Sequence, residues 1–256
     1  MSLVEWGLLF GVLANSIGLL IALVKVVAWI SSHIATINER LNHIENQVNN
    51  DITGRKVVGE MLPRVGEISA APTPAETFVQ INNHLRKINR KQIERITRES
   101  QDHLLFDGPF MQMVNTQVEA AFADERDYIY KGEVIDHQTH LGFDLASVAR
   151  SPVDCANDGK VVWAGYLGIY GNCVLVDHGL GLASLYGHLS SVDTRAGETV
   201  KKGQSLGRTG ETGLAGGDHL HFTTLAQGVP VNPREWWDSK WVREQVFERL
   251  KPSEDE

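Results

Sequence analysis

Two histidines in the segment GGDHLHF, residues 216–222, are spaced two positions apart. The residues from Phe222 to Leu225 favour a β-strand, in which alternate side chains point to the same face. His219 and His221 would then lie side by side. Neighbouring imidazoles are costly to bury unless their nitrogens are used, and a metal ion is a common partner. The spacing alone fits either a metal or catalytic site or two surface histidines.

Three more residues could complete such a site. The segment HQTHLGFDLA contains His140-x-Gly142-x-Asp144, and Gly142 favours a tight backbone bend over a helix. The segment LYGHLS then places His188 at the end of a predicted strand. Two imidazoles and one carboxylate suit zinc with an open position for water, whose pKa zinc lowers to about 7. Two histidines would remain for proton transfer or for stabilising developing charge.

The order of these motifs, H-x-G-x-D, then Y-G-H-L, then H-L-H, resembles the lysostaphin-like (LytM-type) zinc metallopeptidases, which cut peptides in bacterial peptidoglycan. The resemblance covers residues 117–235 and includes GYLGIYGNCVLVDHGLGLASLYGHLS, VKKGQSLGRTGETGLAGGDHLHF and PVNP. It implies a mainly β catalytic domain, with an antiparallel sheet and a groove. It also implies zinc ligands and two non-ligand catalytic histidines, which would activate water and stabilise the oxyanion. The implied ligands are His140, Asp144 and His221, and the implied catalytic residues are His188 and His219.

The segment AAFADERDYIY departs from the family pattern, because Ala123 stands where glycine is often found in an F-G-x-x-R-like stretch. This departure concerns the shape of one groove wall. Tyr128 and Tyr130 are candidates for an additional oxyanion donor, although strand packing is the preferred interpretation. We interpret His137 as a loop residue rather than a competing ligand. His178 is interpreted as a residue of a turn or of a groove wall.

Two other functions fit parts of the pattern. The first is a non-catalytic peptidoglycan-binding or hydrolase-activating module on a coiled-coil stalk. Such relatives typically lack ligands, whereas all five site residues are present here, which favours an enzyme. The second is a non-haem iron oxygenase that uses two histidines and a carboxylate. The H-x-D spacing that is usual in these oxygenases is absent here, and an oxygenase site would leave two of the histidines without a role.

The 256-residue chain has a formal net charge of −8. This argues against nucleic acid as a partner, because phosphate binding needs a concentrated basic surface. Residues 107–256 hold 13 Lys and Arg against 22 Asp and Glu, together with 18 of the 24 glycines, so turn-rich β structure is expected there. Asn232 as cap and Pro233 as first residue predict a closing helix. Apolar runs predict strands at 160–165, 172–179 and 182–189.

The run from Trp6 to Val24 is 19 residues without a charge, which is long enough to cross a bilayer. We predict an uncleaved transmembrane anchor within residues 1–30, because MSLVE lacks the basic residues of a signal peptide and no clear cleavage site follows. Apolar residues then recur at heptad spacing, which predicts a coiled-coil helix over residues 31–52. This helix could self-associate, and an amphipathic helix packed on its own chain fits equally well.

Residues 53–106 are predicted to form a linker and a basic amphipathic helix. Thr73, Pro74 and Glu76 suit the N-cap, first and third positions of that helix. Its basic side chains are typical of a solvated face, and contact with a membrane surface or an acidic partner is the alternative. The helix could dock on the acidic zinc metallopeptidase domain, residues 107–256, and restrict its groove. A simple stalk that carries the domain is the other interpretation.

Peptidoglycan lies outside the cytoplasmic membrane, so the resemblance places the catalytic domain on the outer or periplasmic side of a single-pass anchor. Lys25 and Arg40 after the anchor weakly favour the opposite orientation, and the site is the stronger argument. The sequence leaves open which bond is cleaved, since D-Ala–diaminopimelate and glycine-rich bridges both fit. It also leaves open the oligomeric state, an activating partner and the pairing of Cys155 with Cys173.

Overall fold

A computed structural model of the protein describes residues 71–250. The predicted anchor, residues 1–30, and the predicted coiled coil, residues 31–52, lie outside the described residues and stay predictions. Within residues 71–250, none of the helices combines the length and the apolar character that crossing a bilayer requires. The domain limits given above also stay predictions.

Helix α1 (Pro74–Ile96) begins where the sequence predicts it. Thr73 is the N-cap, and its side chain accepts a hydrogen bond from the backbone N–H of Glu76. The Glu76 carboxylate in turn accepts from the backbone N–H of Thr73. This capping box satisfies backbone donors that have no partner inside the helix.

One face of α1 is covered by the rest of the chain. Phe78 and Ile81 are only 0% and 1% exposed, and their cluster includes Tyr128. Nδ2 of Asn82, which is also buried, donates to Oδ2 of Asp136 at 2.7 Å. The docking that the charge pattern suggested therefore uses apolar contacts and amide hydrogen bonds.

Thirteen strands follow α1 in the described residues, and most of them form one antiparallel sheet. The strands are β1 (Gln117–Ala120), β2 (Glu125–Tyr130), β3 (Glu133–Thr139), β4 (Phe143–Ala146), β5 (Pro152–Asp154), β6 (Gly159–Tyr166), β7 (Asn172–Gly179), β8 (Leu182–Gly187), β9 (Ser191–Val192), β10 (Thr199–Val200), β11 (Ser205–Arg208), β12 (Leu220–Ala226) and β13 (Val229–Val231). The main sheet has the order β1-β4-β12-β8-β7-β6-β10, with β13 paired to β12. Strands β5, β11 and β9 form a second sheet, and β2 and β3 form a separate hairpin. The expected mainly β, antiparallel domain is thus confirmed.

The main sheet is buried on both faces, as strand β7 illustrates. Val174 and Val176 belong to one core cluster, whereas Cys173 and Leu175 belong to another. Because alternate side chains of a strand point to opposite faces, the two clusters lie on opposite faces of the sheet. Ile93 of α1 belongs to the same cluster as Leu175, so the helix helps to cover that face. Within the described residues, the two cysteines are separate buried thiols.

Residues 233–247 are helical as expected, but the helix is interrupted. Asn232 caps α2 (Pro233–Trp237), with Pro233 at the first position. A second short helix, α3 (Ser239–Val242), follows, and a π-helical turn continues from it. The break occurs because the Asp238 side chain accepts hydrogen bonds from the backbone N–H groups of Lys240 and Trp241, which starts a new helix. The single closing helix predicted from sequence is therefore wrong in this detail.

Candidate metal centre

The predicted ligand residues come together where β4 and β12 pair. Asp144 on β4 and His221 on β12 are direct partners in the antiparallel register. On its other side, His221 is paired with Gly187, the last residue of β8, and His188 follows directly. His140 lies just before β4, four positions ahead of Asp144. The sheet register thus concentrates residues that are far apart in sequence.

Gly142 allows the backbone between His140 and Asp144 to pass close beneath β12. A Cβ atom at this position would lie 2.6 Å from the backbone oxygen of Phe222 and 2.7 Å from Cε1 of His221. Both distances are far below ordinary van der Waals contact. The glycine of the H-x-G-x-D motif is therefore required for space, so that the His221 ring can lie over the bend.

Three possible ligand atoms form a small triangle. Nε2 of His140 lies 3.0 Å from Oδ1 of Asp144, and Nδ1 of His221 lies 2.9 Å from the same oxygen. The two nitrogens are 3.1 Å apart. Tetrahedral zinc with bonds of about 2.0–2.1 Å holds its ligand atoms roughly 3.3 Å apart, so the triangle is close to the size that zinc needs. Within the described residues, this is the group of ligand side chains found close enough to hold a metal ion.

Hydrogen bonds to the outer ring nitrogens fix where the imidazole protons lie. Nδ1 of His140 is 2.9 Å from the carbonyl oxygen of Ala121, which can only accept, so this nitrogen carries the proton. The Thr223 hydroxyl donates to the carbonyl of Leu141, so its oxygen accepts from Nε2–H of His221 at 3.0 Å. The nitrogens left without protons are those that face Asp144. Such outer partners orient metal-binding histidines and set their tautomers.

His188 and His219 lie beside the triangle and are held in the same way. Nδ1 of His188 is 2.8 Å from the carbonyl oxygen of Thr212, and Nδ1 of His219 is 2.8 Å from that of Gly217. Their ring centroids are 4.8 Å apart. Since a carbonyl oxygen only accepts, Nδ1 carries the proton in both rings, and each Nε2 remains for other partners. For His219 that atom lies 3.5 Å from Oδ1 of Asp144.

Burial and mutual contacts shift the pKa values of the site. Burial opposes charge on Asp144, yet the adjacent rings of His140, His219 and His221 hold its pKa well below the ordinary value. Burial lowers the pKa of His221 to about 4 and that of His188 well below its usual value. Burial also opposes charge on His219, but its hydrogen bond with Asp144 raises the pKa. A carboxylate beside neutral imidazoles is the state that binds a metal ion.

The structure places the other candidate residues away from the triangle. The Tyr128 ring packs against Phe78 with centroids 5.2 Å apart, which agrees with strand packing. His137 lies on β3 rather than in a loop, and its exposed ring is 2.7 Å from Asp127 across the hairpin. Tyr130 lies at the end of β2.

The structure explains one further observation from the sequence, at Ala123, and corrects another, at His178. Ala123 has a φ of +68°, a left-handed conformation that glycine adopts more readily, which explains why glycine is frequent there in the family pattern. His178 is the penultimate residue of strand β7, lies in the core and is 0% exposed, so its assignment to a turn or groove wall is wrong. Its Nε2 accepts from the Ser184 hydroxyl, and its Nδ1–H donates to the carbonyl of Asp158.

Sequence reasoning missed three residues that support the site. Thr223 is two positions beyond His221 on the same strand, so the strand period could have identified it. The Tyr170 ring lies 5.4 Å from the His221 ring, and Arg126 donates to Asp144. The Tyr170 contact joins distant parts of the chain, and spacing alone does not reveal it. Arg126 is the arginine of the F-G-x-x-R-like stretch noted above, and that motif could have identified it.

Comparisons with known proteins agree with these motifs. Residues 138–233 match the model of peptidase family M23. The DD-carboxypeptidase/endopeptidase Mpg of Neisseria meningitidis serogroup B is 39% identical over 94 residues, which are 37% of this chain and 22% of that protein. The peptidoglycan DD-endopeptidase ShyA of Vibrio cholerae is 38% identical over 93 residues, which are 36% and 22%.

The similarity is confined to part of each relative, since the matched region spans about a fifth of the length of these curated proteins. Among solved structures, the catalytic domain of lysostaphin from Staphylococcus simulans is 27% identical with a TM-score of 0.42, covering 48% of this chain and 92% of that one. The resemblance to the lysostaphin-like (LytM-type) peptidases is confirmed by the match of residues 138–233 to peptidase family M23.

Proposed function

We propose that this chain is a zinc-dependent endopeptidase that hydrolyses peptide cross-links of bacterial peptidoglycan. The main support is the triangle of lone-pair atoms from His140, Asp144 and His221, which has no proton donor between its corners. Such atoms repel one another unless a cation lies among them. Two imidazoles and a carboxylate suit a catalytic zinc ion with an open position. Relatives named DD-carboxypeptidase/endopeptidase and peptidoglycan DD-endopeptidase support the substrate class.

The two remaining histidines supply proton transfer in this proposal. Zinc bound by the triangle would polarise the scissile carbonyl and lower the pKa of a coordinated water to about 7. His188 and His219 are each held through Nδ1 by a backbone carbonyl, so both present Nε2 to the reacting groups. One Nε2 would take a proton from the attacking water, and the other, once it too carries a proton, would donate to the tetrahedral oxyanion and stabilise its charge. His188 is further constrained by its left-handed backbone, with φ of +63°, which its N–H stabilises by donating to the carbonyl of Tyr170 at 2.7 Å.

The remaining features concern location and partners. We place the chain in the cytoplasmic membrane through the apolar run from Trp6 to Val24, with the catalytic domain on the outer or periplasmic side. Access to peptidoglycan supports this orientation. Self-association through residues 31–52 is part of the same proposal, and nucleic acid is not expected to bind.

The test uses the full-length chain purified in detergent. We expect near-stoichiometric zinc by elemental analysis and soluble peptides after incubation with peptidoglycan, identified by mass spectrometry. Comparing substrates with D-Ala–diaminopimelate links and with glycine-rich bridges identifies the bond. The variant His221→Ala should lose most of the zinc, whereas His137→Ala, which changes an exposed histidine outside the triangle, should keep it. Full zinc retention by His221→Ala would overturn the proposal.

A further inference from the structure

The two oxygens of the Asp144 carboxylate have different partners. Nη2 of Arg126 donates to Oδ2 at 2.6 Å, while Oδ1 faces the ligand nitrogens of His140 and His221. The Asp144 side chain is only 10% exposed, and Arg126 reaches it from the partly exposed hairpin. Arg126 lies outside residues 138–233, the part of the chain that matches the family model.

We propose that Arg126 is a positioning residue of the metal centre: its guanidinium holds Oδ2 of Asp144, so that Asp144 presents Oδ1 alone to the metal ion. This inference rests on the proposed function, since it concerns the same metal site. Arg126 touches neither the metal position nor the substrate in this role, and it acts through Asp144.

The chemistry of carboxylates explains why such a partner matters. A carboxylate can bind a metal ion through one oxygen or through both, and the choice changes the coordination number. A short hydrogen bond between two charged groups is among the strongest in proteins, and it restrains the plane of the carboxylate. With Oδ2 engaged by Arg126, a bound metal ion would keep a position open for water or substrate. Partners of this kind typically contribute 10–100-fold to metal affinity or activity.

The hairpin β2–β3 aims Arg126 at Asp144. In its register Arg126 is opposite Gln138, and Tyr128 is opposite Asp136. Paired residues and residues two positions apart share one face of a hairpin, so all four side chains lie on the same side. One end of this face contacts Asp144 of the metal centre.

The other end of the same face contacts α1. The Tyr128 ring packs on Phe78, its hydroxyl accepts from Nη2 of Arg86 at 3.2 Å, and Asp136 accepts from Nδ2 of Asn82 at 2.7 Å. The hairpin forms its own two-stranded sheet, and such hairpins are marginally stable alone. Helix α1 therefore keeps in place the strand that carries Arg126.

The experiment measures zinc affinity of the full-length protein by competition with a chromogenic chelator. Arg126→Gln should weaken zinc binding about 10–100-fold. Arg126→Lys should recover part of the loss, because it restores a charged donor but not the planar fork. As a matched control, Lys131→Asn removes a positive charge from the same hairpin and suits the left-handed backbone there, with φ of +52°. It should bind zinc like the unchanged protein.

Substitution of zinc by cobalt gives a visible spectrum that would not change if Arg126 only stabilised the fold. If Oδ2 is released in Arg126→Gln, Asp144 can bind through both oxygens, and the visible d–d bands of bound Co²⁺ should weaken as the coordination number rises. Unchanged zinc affinity and an unchanged cobalt spectrum in both Arg126 variants would overturn the inference. If Arg126→Gln fails to fold, the Arg126→Lys spectrum and affinity decide. Absence of zinc binding by the unchanged protein would instead count against the proposed function.

The contribution of α1 is tested by a double-mutant cycle. Tyr128→Ala removes the ring that packs on Phe78, so it should weaken zinc binding less than Arg126→Gln does. Combined with Arg126→Gln, it should add little, because both changes act through the same hydrogen bond to Asp144. Full zinc affinity in Tyr128→Ala, or full additivity in the double variant, would contradict the role of the helix.

Discussion

Oδ1 of Asn89 in α1 accepts a hydrogen bond from the backbone N–H of Ile169 at 2.9 Å, although the two residues are 80 positions apart. Ile169 is the centre of a 3₁₀ turn, Gly168–Tyr170, between β6 and β7. The next residue, Tyr170, contacts the His221 ring and accepts from the backbone N–H of His188. Through this turn, α1 supports two histidines of the candidate metal centre.

The variant Asn89→Ala should therefore be less stable and less active. It leaves the buried N–H of Ile169 without an acceptor, and we expect a loss of about 1–3 kcal/mol in the free energy of unfolding. Turnover should fall as the turn loosens under His188, while zinc remains bound. Denaturant unfolding and peptidoglycan digestion measure the two effects. Gln80→Ala, on the exposed face of the same helix, is the control. An Asn89 variant as stable as the unchanged protein would show that the bond is unimportant.

Replacing Gly142 by alanine should damage the metal centre through one added methyl group. Its Cβ would meet the Phe222 carbonyl at 2.6 Å and the His221 ring at 2.7 Å, so the ligand must move. We expect a lower melting temperature and weaker zinc binding, measured by calorimetry and chelator competition. Gly217→Ala is the matched control, because nothing lies within 4 Å of its added Cβ. Equal zinc affinity in the two variants would contradict this prediction.

His188→Ala and His219→Ala should separate metal binding from turnover. Both rings lie beside the triangle without belonging to it, so each variant should retain zinc. Turnover should fall by about 10²–10⁴-fold, the usual contribution of a general acid or base. Zinc analysis together with rates of peptidoglycan digestion checks both statements. A variant that keeps zinc and digests at the original rate would remove that histidine from the mechanism.

The buried His178 should make the fold sensitive to acid. Burial lowers its pKa from 6.5 to about 4, so between these values the unfolded chain binds a proton that the folded protein does not. The free energy of unfolding therefore falls as pH decreases from 6.5 to 4, by about 3 kcal/mol from this residue. In His178→Gln, whose amide can donate to Asp158 and accept from Ser184, this contribution is absent. Denaturant unfolding at pH 7 and pH 4 should show a smaller decrease in the free energy of unfolding for the variant than for the unchanged protein. Equal decreases in the two proteins would show that His178 does not cause the acid sensitivity.

The motif residues and the short-range signals of this protein could be predicted from its sequence. Thr73 and Glu76 identify the start of α1 because a capping box involves residues only three positions apart. The apolar runs that form β7 and β8 could be predicted because those strands are almost entirely buried, whereas β6 is mostly half-buried and was indicated by its apolar residues.

Contacts between distant segments could not be read in the same way. The pairing of Arg126 with Asp144 depends on how the hairpin packs, and the hairpin depends on α1. Electrostatic reasoning suggested that α1 would dock through its basic residues, whereas Phe78 and Ile81 carry much of the contact. Between α2 and α3, capping by Asp238 competes with continuation of the first helix, and composition does not decide between the two.

The separate burial of Cys155 and Cys173 has a practical consequence. The thiolate is the form that reacts with oxidants, and burial raises the pKa of Cys155 to about 11 and that of Cys173 further still. Both sulfurs thus stay protonated and shielded, and the fold neither gains a disulfide in an oxidising compartment nor loses one in a reducing one. Purification can therefore omit dithiothreitol, a reagent that would itself compete for zinc.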